Sequence, residues 1–398
     1  MPWKIQSVVG ERWRLVRTLL QKQKSVLELS RHFGVSRKTA YKWKARFLQG
    51  GRRALRNRSR RPQRMPRHLA DRWIQRIGRL RRQHPRWGPK KMRAHFQRQG
   101  WSPPSLRTIA RWLQRLHLSR PPRRRPRRVC VCLQPRLTVA RRPNQVWTVD
   151  FKGWFRAGNG ARCEPLTVRD LYSRYGLAGR VLPTQHGPPV KAVFTSLFQR
   201  RGLPDVLRMD NGRPFASRGP AGLSQLSAWW VRLGIRVEFS RPGCPQDNGA
   251  HEQFHGVMQR ETAAPPAGTR QGQPHRTTCW LHHYNHHRPH EALGHAVPAK
   301  RYRRSRRKFP RQLPERPYGR GYTVRRVRSN GEIRWAGRKR FIGEAFVGQF
   351  IGLRRIKPGI YGVRFAHLLI GHLHEQETGA MRPALYQHGH RPSKNPKV

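Results

Sequence analysis

Hydrophobic positions recur at helical spacing through the first 118 residues and predict two three-helix units. In residues 1–56, GERWRLVRTLLQKQ and SVLELSRHF predict two helices, and the turn Gly-Val-Ser at 34–36 precedes a third. Ser36 is suited to cap that third helix, whose apolar side carries Ala40, Trp43 and Phe47. This arrangement is typical of a helix-turn-helix domain.

The opposite face of the third helix is basic at its start. The start of a recognition helix contacts base edges and phosphates in the major groove of DNA. We therefore predict DNA contacts from Arg37, Lys38, Thr39 and Lys42. The alternative is a helical hairpin that serves packing alone, because the turn signal is short.

A second helical unit is predicted over residues 69–118. Its last helix follows Ser105, with leucine and isoleucine facing inward at 106, 109, 113 and 116. The outward positions on that helix predict further DNA contacts from Arg107, Thr108 and Arg111. Residues 57–68 and 119–140 are rich in proline and arginine, and we interpret them as basic linkers that follow the DNA backbone.

From residue 141 to 302 the pattern alternates between strands and helices. VWTVDFKGWF, ARCEPLTVRDLYSRYGLAGRV and IRVEFS predict strands, whereas PPVKAVFTSLFQRRG predicts a helix. Carboxylates fall at the ends of these strands. The pattern favours an α/β domain with its site at one sheet edge.

Beyond a predicted linker at 303–320, residues 321–378 alternate with a period of two. Two short strands flank Ser329-Asn330-Gly331, which is typical of a hairpin turn. We predict a small β-barrel here and a disordered tail over residues 379–398. The chain is thus expected to be multidomain, with all-α units, an α/β core and a β-barrel in that order.

Charge narrows the class of partner. The chain has 86 Lys and Arg against 18 Asp and Glu, a formal net charge of +68. Residues 1–140 alone hold 40 basic residues and three acids. A field of this sign predicts a polyanionic partner, and double-stranded DNA is the obvious one. Nucleotide composition bias is the alternative source of part of the arginine.

Three of the few acids occupy positions that favour metal chemistry. Asp150 lies in a predicted strand, Asp210 at the end of another, and Glu252 in the first turn of a predicted helix. Converging carboxylates repel unless a cation lies between them, and hard oxygen ligands select Mg²⁺ or Mn²⁺. Two such ions can drive an in-line phosphodiester displacement. The alternative is that the three are ordinary strand-end and helix-start acids.

The sequences around these acids resemble a known family. WTVDFKG, MDNGRPF and PQDNGAHEQFHG are similar to the three catalytic motifs of bacterial insertion-sequence transposases with a retroviral-integrase-type DDE core. HHYNHHRPHEALGHAVPAKRY at 282–302 resembles the signature that follows this core, and the resemblance runs through nearly the whole chain. It implies a ribonuclease H-like fold with Asp150, Asp210 and Glu252 as catalytic ligands of two Mg²⁺ or Mn²⁺ ions.

The chain departs from the family pattern at two places. Forty-one residues separate Asp210 from Glu252, a longer spacing than usual, and the Gly-rich segment ASRGPAGLSQ accounts for the excess. The family tends to place a basic residue seven positions after the Glu. Here that position is Gln259, with Arg260 beside it as the expected DNA contact.

The resemblance implies a DNA transposase. It would bind the terminal inverted repeats of an insertion sequence, cleave the ends and join them to target DNA as a homo-multimer. Asn211 and Asn248 are expected to position the metal ligands. One alternative is a catalytically inactive relative that binds and represses element ends. Another is a nuclease acting on RNA–DNA hybrids, which the fold alone suggests.

Other features suggest little further chemistry. Five cysteines, an odd number without framework spacing, argue against a disulfide scaffold and for a reducing compartment. Cys130 with Cys132, and the histidines between 282 and 290, remain minority candidates for metal binding. We interpret Asp170 as structural and Asp247 as a turn residue. No stretch is apolar enough to cross a membrane, so the expected location is the bacterial cytoplasm, at the nucleoid.

Overall fold

The computed structural model describes residues 7–22, 24–59, 69–119, 137–241, 244, 247–313 and 318–384. Most of both predicted basic linkers, including Cys130 and Cys132, lies outside these ranges. The chain divides into two compact units, residues 1–70 and residues 71–398, and each is described by itself.

The first unit is a three-helix domain, as predicted. Its helices are α1 (Val8–Leu20), α2 (Val26–His32) and α3 (Arg37–Gly50), and a 3₁₀ turn follows at Gly51–Leu55. Serine side chains cap all three helices: Ser7, Ser25 and Ser36 each accept a hydrogen bond from a backbone N–H in the first turn. Leu29, Ala40 and Trp43 are buried, so the apolar faces of α2 and α3 point inward.

The second unit begins with another three helices: α4 (Asp71–Gln83), α5 (Pro89–Arg98) and α6 (Leu106–Arg115). Ser105 caps α6, and Ile109 and Leu113 are buried as predicted. The predicted inward position of Leu106 is wrong, since this side chain is 37% exposed. Leu106 is the first residue of the helix and lies beyond the packed face.

An α/β domain follows, built on one mixed sheet. Its strands are β1 (Val146–Phe151), β2 (Phe155–Arg156), β3 (Arg162–Asp170), β4 (Gly176–Leu182), β5 (Val206–Met209) and β6 (Arg236–Phe239). The sheet runs β2-β3-β1-β5-β6, and β4 pairs with the edge of β3 opposite β1. Strands β1, β5 and β6 are parallel, whereas β3 is antiparallel to β1 and to β4. Because β1 is central, its residues from Val146 to Val149 are all buried.

Helices cover this sheet. They are α7 (Gly187–Arg201), α8 (Gln225–Arg232), α9 (Gly249–Thr262), α10 (Gln273–His286) and α11 (Pro298–Arg301). Phe194, Phe198 and Trp230 fill the core behind α7 and α8. The first part of the segment predicted as a linker, 303–313, packs on this domain instead. The Arg307 guanidinium donates to the carbonyls of Pro204 and Gly234, at 2.5 and 2.9 Å.

The C-terminal region is β-rich, but a closed barrel is not shown. Its strands are β7 (Thr323–Arg326), β8 (Glu332–Trp335), β9 (Arg338–Phe341), β10 (Phe350–Lys357), β11 (Ile360–Phe365), β12 (Leu368–His374), β13 (Gly379–Ala380) and β14 (Arg382–Pro383). They form a five-stranded sheet, β14-β12-β11-β10-β7, and a three-stranded sheet, β13-β9-β8.

One expectation for this region is confirmed in part, and one is wrong. Ser329-Asn330-Gly331 is a turn, in which the Gly331 N–H donates to the Arg328 carbonyl at 2.9 Å. The strands on either side of it have other partners, because β7 pairs with β10 and β8 pairs with β9. The residues from Gly379 to Pro383 are not a disordered tail. They form β13 and β14, since Met381 between them is buried in the core. Residues 385–398 lie outside the described ranges.

The Gly-rich segment that lengthens the spacing before Glu252 has a structural role. Its Pro220 lies against Gly343, where an added Cβ would stand 3.1 Å from the proline Cδ. Gln225 at its end donates to the Glu344 carbonyl at 3.4 Å. The segment therefore forms part of the surface on which the C-terminal region packs.

Within the described ranges, no helix is long and apolar enough to cross a membrane. Cys163 and Cys279 carry free thiols. Cys244 is disulfide-bonded, which the cysteine count did not predict.

Candidate active site

The two aspartates are aligned by the pairing of two parallel strands. The register of β1 with β5 joins Val146 to Val206 and Thr148 to Arg208. Asp150 and Asp210 each follow the second of these pairs by two residues, Asp150 within β1 and Asp210 directly after β5. Because parallel strands end at the same sheet edge, this register brings the two carboxylates to neighbouring positions.

Asp150 is mostly buried and carries a strongly perturbed carboxyl. Burial raises its pKa to about 6; the hydrogen bond from Asn248 opposes this shift, and the charges of Asp210 and Glu252 add to it. Asn248 Nδ2 donates to Asp150 Oδ2 at 2.8 Å. Asn248, the residue that precedes α9, therefore contacts a predicted metal ligand.

Asp210 has an unsatisfied buried oxygen. Its Oδ1 is buried and has no hydrogen-bond partner among the described residues. Burial raises the pKa of this carboxyl, although the backbone N–H of Gly212 opposes the shift. A Cβ at position 212 would stand 2.9 Å from Asp210 Oδ2, so a larger residue there would displace the carboxylate. Asn211, by contrast, donates to the Ser240 carbonyl at 2.8 Å and so braces the loop.

Glu252 lies exposed in the first turn of α9. Its charge acts on Asp150, so all three predicted carboxylates belong to one electrostatic cluster. In the part of the chain that the structure describes, no group of three or more His, Cys, Asp or Glu is arranged to hold a metal ion.

A buried network that the sequence reasoning missed attaches α9 to the sheet. His251 Nδ1 lies 2.7 Å from the Thr148 hydroxyl, and His251 Nε2 lies 2.6 Å from the Thr167 hydroxyl. His255 Nε2 lies 2.6 Å from the same Thr167 oxygen, which also donates to the Asp150 carbonyl at 3.2 Å. His251 and His255 are four residues apart in the sequence, and this spacing predicts that they share one face of a helix.

The two imidazoles share one hydroxyl. Thr167 Oγ1 has one proton and three partners, the two Nε2 atoms and the Asp150 carbonyl, so at least one Nε2 must donate to it. Burial lowers the pKa of His251 well below its ordinary value and that of His255 to about 3, so both rings are neutral. His255 Nδ1, 3.9 Å from Asp150 Oδ2, is therefore not an ion-pair partner.

A buried arginine fixes the start of α9. Arg169 on β3 is fully enclosed, and its guanidinium donates to the Ala250 carbonyl. Its carbon Cζ also lies 5.5 Å from the Phe254 ring centre. Together with the histidines, this contact determines where the first turn of α9, and with it Glu252, lies over β1 and β3.

Part of this site has the chemistry that a divalent cation requires. Two largely buried carboxyls with raised pKa values, one of them with an unsatisfied oxygen on Asp210, are hard oxygen donors at one edge of the sheet. Glu252 is exposed, so these three side chains do not form a closed ligand set in this conformation.

Asp170 and Asp247, the other aspartates near the motifs, have structural contacts. Asp170 is fully buried and accepts hydrogen bonds from the Ser173 hydroxyl and from two backbone N–H groups. Asp247 does more than form a turn: its carboxylate binds the Arg241 guanidinium in a bidentate manner, at 2.6 and 2.8 Å. That pair bridges the loop that leads into α9.

The predicted DNA-contact residues lie mostly at the surface. Arg37, Lys38 and Lys42 are exposed on α3, and Arg107 and Arg111 are exposed on α6. The half-buried Thr39 and Thr108 have partly structural roles, since the hydroxyl of each lies 2.9 Å from the capping serine, Ser36 or Ser105. On α9, Arg260 extends back toward Gly256, where an added Cβ would stand 3.2 Å from its Nη1. Its side chain therefore runs toward the Glu252 end of the helix.

Models of known protein families match most of the chain. Two models described as integrase core domain match residues 140–245 and 233–298. A helix-turn-helix domain matches 11–63, and a homeodomain-like domain matches 39–113. The C-terminal domain of IS481 family transposases matches 322–380.

One curated relative is an uncharacterized 31.7 kDa protein of insertion element IS407 from Burkholderia multivorans. It is 28% identical over 178 residues, which are 44% of this chain and 62% of the relative. The chain thus spans less than two thirds of that relative's length.

Similar solved structures include two viral proteins. The catalytic core domain of HTLV-2 integrase is 13% identical with a TM-score of 0.34, over 42% of this chain and all of that one. A chain of the simian T-cell lymphotropic virus intasome in complex with a PP2A regulatory subunit is 12% identical with a TM-score of 0.36, over 78% of this chain and 99% of that one. The family matches confirm the resemblance to insertion-sequence transposases with an integrase-type core.

Proposed function

We propose that this protein is a DNA transposase that cleaves the ends of an insertion sequence and joins them to target DNA. The observation that carries the proposal is the pair Asp150 and Asp210 at adjacent strand ends. Both are largely buried, and among the described residues neither forms an ion pair with lysine or arginine. In a chain with 86 basic residues, carboxylates without such a partner support a site that binds an external cation.

The chemistry is two successive phosphodiester displacements. Water attacks the phosphorus at the element end and the 3′ oxygen leaves with a proton, which yields a 3′ hydroxyl and a 5′ phosphate. That hydroxyl then attacks a phosphodiester of the target, forms the new bond and releases a target 3′ hydroxyl. Two bound Mg²⁺ or Mn²⁺ ions would supply Lewis-acid activation of the nucleophile and stabilise the developing charge.

The residues of the chain have separate roles in this scheme. Asp150, Asp210 and Glu252 hold the cations, and Asn248 orients the Asp150 carboxylate through its 2.8 Å hydrogen bond. The neutral imidazoles of His251 and His255 hold α9 against the sheet without neutralising the carboxylates. Arg260 contacts the DNA backbone from the same helix.

The flanking regions bind DNA. Exposed basic residues on α3 and α6 read the element end, and the C-terminal strands, as a small barrel, hold flanking or target DNA. Two ends must be held together for coordinated joining, so the active form is a homo-multimer on DNA.

The test uses a labelled duplex that carries the inverted repeat flanking the gene. Wild type and Asp210→Asn are compared for nicking and for joining to a plasmid with Mg²⁺ or Mn²⁺. We expect metal-dependent cleavage and joining by wild type and a loss of at least about a thousandfold in the variant. Substituting Asp205→Asn provides a matched control, because Asp205 is ion-paired to Arg142 at 2.6 Å near the start of β5.

Three outcomes are informative. Cleavage lost only in Asp210→Asn, with end binding retained, supports the transposase. Tight, end-specific binding without cleavage by any of the three proteins supports the repressor alternative. Metal-dependent cleavage of an RNA–DNA hybrid in preference to the duplex end would instead support the nuclease.

A further inference from the structure

An exposed tryptophan lies beside the candidate active site. Trp154 follows Asp150 by four residues, in the segment between β1 and β2. It is 54% exposed, more than any other tryptophan in the described ranges. An exposed tryptophan ring offers a large, flat apolar face to which a partner can bind.

The surroundings of the ring are basic. The guanidinium carbons of Arg156 and Arg162 lie 5.6 and 5.2 Å from its centre. Both arginines are held in place: Arg156 donates to the Gly160 carbonyl at 2.9 Å, and Arg162 pairs with Glu164 at 2.6 Å. A flat apolar ring beside two fixed cations suits a partner that combines a planar face with negative charge, which is a nucleotide.

The ring is held at the catalytic end of the sheet. The hairpin of β2 and β3 is joined to the loop after α9 by hydrogen bonds from Gly158 to Ala267, 2.8 Å, and from Asn159 to Gly268, 2.7 Å. Four extended residues span at most about 14 Å, so Trp154 lies within that reach of Asp150. Since bases along one DNA strand rise about 3.4 Å each, the reach covers roughly the four nucleotides next to the scissile phosphate.

We propose that Trp154, flanked by Arg156 and Arg162, is a stacking site for a nucleobase next to the scissile phosphate. This inference rests on the proposed transposase function and adds to it a contact with the DNA strand being cut. A base held on Trp154 has left its ordinary stack, so the site binds a frayed or distorted DNA end.

The direct test is photo-crosslinking. The end duplex carries 5-iodo-deoxyuridine at one of the four positions nearest the cleavage point, and the full-length protein carries Asp210→Asn so that the DNA stays intact. We expect the peptide that contains Trp154 to crosslink at one or two of these positions. Mass spectrometry identifies the peptide, and Trp154→Ala should remove the crosslink.

Cleavage provides the second readout. Trp154→Ala should slow cleavage of a fully paired end about tenfold or more, the scale of losing one base–aromatic stack. Trp154→Tyr should stay within about threefold of wild type, because a tyrosine ring still stacks. Mismatching the base pairs beside the cleavage point should recover much of the loss in Trp154→Ala. Tyr172→Ala is the matched control, since Tyr172 is 37% exposed at the opposite end of the same sheet.

The outcomes separate this site from the wider function. Normal cleavage and an unchanged crosslink in Trp154→Ala would overturn the stacking site and leave the transposase intact. A wild type that never cleaves would overturn the transposase, and the crosslink would still decide the stacking site. If Trp154→Ala instead dissociates copies of the chain without DNA, by mass photometry, the ring contacts protein and the proposal is wrong.

Discussion

Carboxylates at two parts of the same sheet have opposite surroundings. Along β5 and β6, the buried Glu238 pairs with Arg208 at 3.0 Å and also contacts Thr138. At the ends of β1 and β5, Asp150 has an asparagine and a neutral histidine beside it, and Asp210 has a backbone N–H and one oxygen without a partner among the described residues. The guanidiniums that satisfy acids elsewhere are replaced at this end by amide, backbone N–H and imidazole groups.

This difference shows what the protein does with its few acids. A buried carboxylate paired with arginine has its charge compensated within the fold and cannot bind a cation. A buried carboxylate without a basic partner costs folding free energy, but it keeps its charge for a metal ion.

The largest effect is expected from breaking the paired side. Arg208→Met leaves Glu238 buried beside Thr138 without its main partner, so the free energy of unfolding should fall by about 3–5 kcal/mol. Replacing both residues, Arg208→Met with Glu238→Leu, should recover most of that loss. Urea unfolding monitored by tryptophan fluorescence measures both variants. A double variant as unstable as the single one would contradict this reading of the pair.

A smaller change, an increase in stability, is expected when the unpaired Asp150 carboxylate is removed. The folded chain raises the pKa of Asp150 from its ordinary 3.8 to about 6, so between these values the folded state keeps a proton that the unfolded chain releases. The stability contributed by this group is therefore present below about pH 4 and lost as the pH rises to 6. Asp150→Asn removes this loss, and above pH 6 the metal-free variant should be more stable than wild type by roughly 2–3 kcal/mol.

The measurement is the difference in unfolding free energy between the two proteins at pH 4.5, 6 and 7.5, with EDTA. Adding Mn²⁺ at pH 7.5 should stabilise wild type and leave Asp150→Asn nearly unchanged. A difference that does not vary with pH would show that the Asp150 carboxylate is not strained in the metal-free fold.

The smallest effect is expected at the hydroxyl that joins the histidines. Thr167→Val keeps the shape of the side chain but leaves the two buried Nε2 atoms without their hydrogen-bond partner, which should cost about 1–3 kcal/mol. Thr195→Val on α7 is the control and should change stability by less than about 0.5 kcal/mol, since its hydroxyl only contacts its own helix at the surface. Thermal unfolding of both variants suffices. If the two variants are equally stable, the Thr167 hydroxyl does not stabilise the contact between the histidines and the sheet.

The sequence by itself determined the order of the helical, α/β and β-rich regions and pointed to the candidate site residues. Helical spacing with serine caps predicts α3 and α6, and alternation predicts β1 and β3, because these signals depend only on neighbours along the chain. The scarcity of acids in a basic chain also singled out Asp150 and Asp210.

Only the tertiary structure decided which groups meet. That β7 pairs with β10 rather than β8, and that Thr167 serves two histidines on α9, depends on contacts between residues far apart in the chain. Local patterns give each residue a preferred conformation and face. They carry no information on the partner across the core, because burial, hydrogen bonding and pKa arise only when distant segments pack together.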